Sequence, residues 1–216
     1  MPLTRAALLL PTIWLLPNGT IQAPAAPRLM PGVEVRRGPN DMTMFTFDGR
    51  ESGILFPDSE TIAAARSLTI SAWILLRERA DTPGQLVFRG DDRNGNDAFA
   101  LTVHPPSRLY FSIWDHEERF ANVHHDLTIG RWTHVTATLD DFTGEMSLEV
   151  DGKPIATTKT TLRPRAALDL GANPGIGIGN IQNIGPHNQP FSGALADVRI
   201  YPFVTQDPLS KQAKRP

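Results

Sequence analysis

Between Arg131 and Lys153 the chain reads RWTHVTATLDDFTGEMSLEVDGK, and apolar and polar side chains alternate along it in two runs. Val135, Ala137 and Leu139 alternate with His134, Thr136 and Thr138; Met146, Leu148 and Val150 alternate with Glu145, Ser147 and Glu149. A period of two sends successive side chains to opposite sides of a strand, so both runs predict strands with one buried and one wet face. Asp140, Asp141, Thr143 and Gly144 supply turn chemistry between them, and Asp151-Gly152 predicts a second tight reversal. An antiparallel hairpin within a sandwich is the expected unit.

Short apolar runs bounded by turn residues recur along the rest of the chain. They predict strands over Met44 to Phe47, Leu68 to Leu75, Leu86 to Arg89, Ala98 to Val103, Leu109 to Trp114, Ala167 to Leu170, Ile176 to Gly179 and Leu195 to Tyr201. In the last run Leu195 and Val198 differ in parity, which predicts a β-bulge near Ala196-Asp197. Helical periodicity is confined to one turn at Glu60 to Ala65. The fold class that fits is all-β, an antiparallel sandwich or jelly roll.

Composition narrows the function classes. With 21 basic and 23 acidic side chains the formal net charge is −2, so no basic excess is present to bind phosphates, and nucleic acid is excluded as an expected partner. The 216 residues contain no cysteine, which excludes disulfides, thiolate zinc sites and cysteine nucleophiles. Met1 to Arg5 carries one positive charge, Ala6 to Leu16 is apolar, and Ala23-Pro24-Ala25 follows. That order predicts a secretory signal and an exported protein, periplasmic or extracellular. The alternative is an apolar strap, retained and packed on the fold or on a membrane-associated complex; the run falls short of the about 20 residues a spanning helix needs. The expected organisation is residues 1–25 as signal or strap, 26–41 as a proline-punctuated linker, 42–210 as the domain, and 211–216 as a basic tail.

Five phrases, in order, resemble the laminin G-like, concanavalin A-like lectin/glucanase superfamily: FTFDGRESGILFPDS, LTISAWI, RWTHVTATLD, LEVDGK and FSGALADVRIY. The resemblance implies a jelly roll of two antiparallel sheets with first and last strands adjacent. It also implies a structural calcium ion (Ca2+) held between the aspartate of the F-D-G phrase, Asp48, and the acidic residue of the last strand, Asp197. The family often has two acidic residues there, and this chain has Ala196 at the first. The alternative is that Asp48 caps the turn into Gly49 while Asp197 pairs with an arginine such as Arg199 or Arg50.

Other candidates come from the residues themselves. Asp92, Asn94 and Asn96 form an oxygen-rich loop, but the pattern departs from a calcium-binding EF-hand at Asp97 and Val103, so ligand contact from a solvated loop is the expectation. Trp114, with Tyr110 and Phe120, offers a stacking edge. Asp115, Glu117 and Glu118 do not match the spacing of glucanase carboxylates, and no nucleophile elbow occurs. Arg89-Gly90-Asp91 spells the integrin tripeptide by coincidence. The expected function is therefore a non-catalytic module that binds a glycan or a protein partner at the cell envelope. The alternatives are an accessory subunit attached to a membrane complex through its N-terminal segment and, further off, a glycan hydrolase.

Overall fold

The computed structural model describes residues 10–38, 41–78, 80–90, 97–169, 174–181 and 189–205. Two antiparallel sheets stack face to face. Sheet A contains β1 (Ile13–Leu15), β2 (Ile21–Gln22), β4 (Glu34–Arg37), β5 (Thr43–Asp48), β7 (Leu68–Leu76), β12 (Trp132–Leu139), β13 (Glu145–Val150), β14 (Lys153–Lys159) and β16 (Ser192–Tyr201). Sheet B runs in the order β11 (Phe120–Asp126), β10 (Arg108–Trp114), β9 (Phe99–His104), β8 (Gly84–Gly90), β15 (Gly175–Ile178), β6 (Ile54–Pro57) and β3 (Arg28–Leu29). One short helix, α1 (Glu60–Ala63), is capped by Ser59, whose hydroxyl accepts from the Ile62 N–H.

The alternation in the sequence decides which residues fill the space between the sheets. Val135, Ala137 and Leu139 of β12 and Met146 and Leu148 of β13 are fully buried there, with Phe45 and Phe47 of β5 and Leu101, Phe111 and Ile113 of sheet B. The hairpin turn forms as its residues dictate. Asp140 accepts from the Phe142 N–H at 2.9 Å and the Thr143 hydroxyl at 2.8 Å, and Gly144 takes the positive φ of 69°. Asp151 and Gly152 both have positive φ, as a two-residue primed turn requires.

β16 organises sheet A. One edge pairs with β7; along the other, Ser192–Ala196 faces β5 and Val198–Ile200 faces β1. The change of partner falls at Asp197, where the register slips and φ is +49°. The parity break in the sequence therefore marks the bulge, and the fold uses it to pass from one neighbour to the next.

Three segments differ in detail from the expectation. From residue 10 the apolar N-terminal run is described as part of the sandwich, with Ile13 and Leu15 of β1 fully buried in the core, an arrangement of the kind the strap alternative expects. Residues 26–41 are not only a linker, because β3 pairs with β6 and β4 with β5. The strand expected over Ala167 to Leu170 is irregular through Asp169. Pro164, three residues before it, has no N–H for a ladder, and an arginine holds the backbone leading into the segment. The buried Arg89 donates to the carbonyls of Arg165 and Ala166 at 2.7 Å each. Among the described residues no helix is long and apolar enough to cross a membrane.

Candidate functional site

On β10 the side chains of Arg108, Tyr110, Ser112 and Trp114 alternate with the core residues Leu109, Phe111 and Ile113, so they share the outer face of sheet B. The antiparallel register sets His124 opposite Tyr110, Asn122 opposite Ser112 and Phe120 opposite Trp114. Tyr110 lies between two imidazoles, His104 at 4.8 Å and His124 at 5.1 Å between ring centroids. Burial lowers the pKa of His104, which favours a neutral ring in that stack. Tyr110 and Trp114 are four residues apart, about 13 Å along a strand. Phe120 is 62% exposed. The result is a strip with partly exposed aromatic rings at both ends and the buried Ser112 hydroxyl and half-buried Asn122 amide between them. Sequence reasoning placed Tyr110, Trp114 and Phe120 near one another but missed β11, which has only Val123 as a buried apolar side chain to signal it.

Carboxylates hold both ends of this strip. Beside Tyr110, Arg108 donates to Asp126 at 2.7 Å and holds its carboxyl below the usual range. Beyond Trp114, burial opposes ionisation of Asp115. The Arg119 guanidinium and the N–H groups of Arg119 and Glu117 outweigh it, leaving this carboxyl also lowered. Glu117 shares Arg119 at 3.2 Å. Asp115 and Glu117 thus share Arg119 in closing the β10–β11 turn.

The two proposed calcium ligands are not brought together. Asp48 ends β5 opposite Ser192, whereas Asp197 is five residues further along β16, about 15 Å away. Ligands of one calcium ion each approach it within about 2.6 Å. Asp48 accepts from the N–H groups of Arg50 and Ser52 and from the Ser52 hydroxyl at 2.6 Å. Burial works against its ionisation, and these donors win, so its pKa is lowered. Asp197 is buried, accepts from the Trp14 indole at 2.7 Å and from Arg199 Nε at 2.9 Å, and forms a second contact with the same guanidinium. Arg199 in turn lies 5.1 Å over the Trp14 ring. The pair does not fit a shared ion. Among the described residues no cluster of three His, Asp or Glu side chains is arranged to hold a metal.

Asp48 does border a cleft of about 220 Å3 at one end of the sandwich, with Arg50, Glu78, Asp81 and Ser192 around a floor of Leu76, Val103 and Phe191. Asp92, Asn94 and Asn96 lie outside the described residues. The Arg-Gly-Asp tripeptide has no exposed arginine, because Arg89 is fully buried against Asp58 with two contacts of 2.8 Å.

Comparison with known proteins agrees with the architecture. The botulinum neurotoxin type G receptor binding domain superposes with a TM-score of 0.69 at 12% identity, covering 94% of this chain and 50% of that one. The binding domain of Paraclostridial Mosquitocidal Protein 1 gives 0.68 at 17%, covering 94% and 51%. The chain thus spans about half the length of these structures, and at such identity the likeness is one of fold. No curated protein matches by sequence. A family model described as the concanavalin A-like lectin/glucanases superfamily matches residues 48–207, about three quarters of the chain, and the chain belongs to that superfamily.

Proposed function

We propose that this domain is a non-catalytic binding module whose Tyr110–Trp114 face receives a glycan. One observation carries the reading: Tyr110 and Trp114 share a face of β10 with His124 and Phe120 directly opposite, around Ser112 and Asn122. Aromatic faces stack on the apolar faces of sugar rings, and a hydroxyl and an amide between them fix orientation. The pairing of Asp115 and Glu117 with Arg119 supports binding rather than hydrolysis. So does the description of the structural neighbours as receptor binding or binding domains. Export to the cell envelope belongs to the proposal and rests on the charge, apolar run and Ala-Pro-Ala order of the N-terminus.

The test is a titration of the full chain with a panel of soluble oligosaccharides, read by tryptophan fluorescence and repeated with Trp114→Ala and Tyr110→Ala. Binding that drops about tenfold or more in each variant supports the reading. Binding that survives in both variants, or no binding to any member alongside capture of a stoichiometric protein, moves the function to a protein partner.

A further inference from the structure

The outer face of sheet A carries a groove of about 450 Å3 with chemistry unlike that of the Tyr110–Trp114 strip. Its floor is formed by Thr136 and Thr138 of β12 and Ser147 and Glu149 of β13, and Val204 and Thr205 form part of its wall. Among the described residues no aromatic ring and no basic side chain lines it, while Asp140, Glu145 and Glu149 do. Of these, Asp140 caps the hairpin turn, and Glu145 stands across the ladder from Lys159. Glu149 stands between Thr136 and Pro154 and has no ion-pair partner among the described residues. Thr136 is nine-tenths buried at this floor, and its hydroxyl oxygen has no hydrogen-bond partner among the described residues. A buried polar atom without a partner is costly unless something else satisfies it.

We propose that this groove receives an extended peptide segment bearing lysine or arginine, with one cationic side chain on Glu149. Glu145, Ser147 and Glu149 repeat on one face at about 6.6 Å, the spacing of alternate side chains in an extended strand, so a segment lying alongside would present every second residue to them. The aliphatic stem of the lysine or arginine would lie along Pro154 and Val204, and its head would reach Glu149 and the Thr136 hydroxyl. Among the described residues the lining offers carboxylates and hydroxyls rather than a ring, which favours a cationic side chain over a stacked sugar. The groove lies on the opposite sheet from Tyr110 and Trp114 and does not depend on the glycan reading.

The experiment is a titration of the isotopically labelled full chain with an eight-residue peptide of alternating lysine and threonine, and with a twin carrying glutamine for lysine, followed by amide shifts. The expected result is perturbation centred on Thr136, Thr138, Ser147 and Glu149. Affinity should be about tenfold weaker or more for the glutamine twin and for Glu149→Gln, and weaker again as salt is raised. The twin acts on the unaltered protein, so the test holds even if a variant folds badly. Equal binding of the two peptides overturns the proposal, as do perturbations centred elsewhere or a neutral oligosaccharide that moves these resonances when the lysine peptide does not.

Discussion

The outer faces of the two sheets are built from similar residues and put to different use. Sheet A directs Trp14, Trp73 and Trp132 outward, yet Trp73 is 7% exposed and packs with Met42, Met44, Ala196 and Trp132 in a satellite cluster. His134 closes on it edge-on at 5.1 Å and also meets the Ser71 hydroxyl at 3.1 Å. Sheet B directs Trp114, Tyr110 and Phe120 outward and leaves them at least partly open. An aromatic side chain on the nominally wet face of a strand is therefore not in itself a binding residue. Trp14 and Trp132 stay half-buried, as Tyr110 and Trp114 do, so what separates Trp73 from Phe120 is whether the same sheet supplies partners that bury it.

The largest effect that could break this contrast is at Asp197. Asp197→Ala leaves the buried Arg199 without its carboxylate, removes the Trp14 indole acceptor and keeps a backbone at φ +49° that alanine tolerates poorly. Loss of one partner of a buried pair costs about 3–5 kcal/mol, measurable by urea unfolding. Arg199→Met added to that variant should recover part of the loss, since the buried guanidinium that lost this carboxylate is then gone as well. A cost below about 1 kcal/mol would mean that this part of sheet A is as open as sheet B.

Next is Leu15. It is fully buried in the main core although it lies in the segment whose pattern predicts a secretory leader. Leu15→Ala should cost about 2–5 kcal/mol in the full chain, and removal of residues 1–25 should cost more, because β1, β2 and the Trp14 contact go together. Equal stability of the full and shortened chains would show that β1 adds nothing to the sandwich.

That ambiguity shows where the sequence is legible. Strong alternation placed β7, β12 and β13 to within a residue or so, and the parity slip between Leu195 and Val198 located the bulge. Each of these strands faces the core with several large apolar side chains, so burial writes itself into the period. β14, with Lys153, Pro154 and Lys159, has the charges and proline of an exposed edge, and β11 buries little beyond Val123. β1 is three residues inside an apolar run that a signal sequence would also contain. At the candidate site, Tyr110 and Trp114 were visible on one strand, but His104 and His124 joined them only through pairings with β9 and β11, which single-strand periodicity does not encode.

Acid should act more gently, and at the ends of the sheet B strip. Asp115 and Asp126 are held below their usual 3.8. A carboxyl with a lowered pKa in the folded state binds fewer protons there than in the unfolded chain, so it stabilises above the unfolded value. That contribution is lost as pH falls through the folded one. Thermal stability should be level above about pH 5 and decline below about pH 4, and Asp115→Asn should lower the plateau while flattening the decline. An unchanged slope in that variant would separate Asp115 from the acid response.

The smallest effect on stability is expected at Phe120. More than half of its surface is exposed, and its cross-strand partner is Trp114 rather than the core. Phe120→Ser should change unfolding free energy by no more than about 0.5 kcal/mol, as for other surface positions. In oligosaccharide titrations the same variant should bind more weakly, because a ring at the edge of the platform is gone. A loss of 2 kcal/mol or more would place Phe120 with Trp73, a side chain buried by its own protein. The strip could not then be read as a surface held open for a ligand, since stability alone would explain its aromatics.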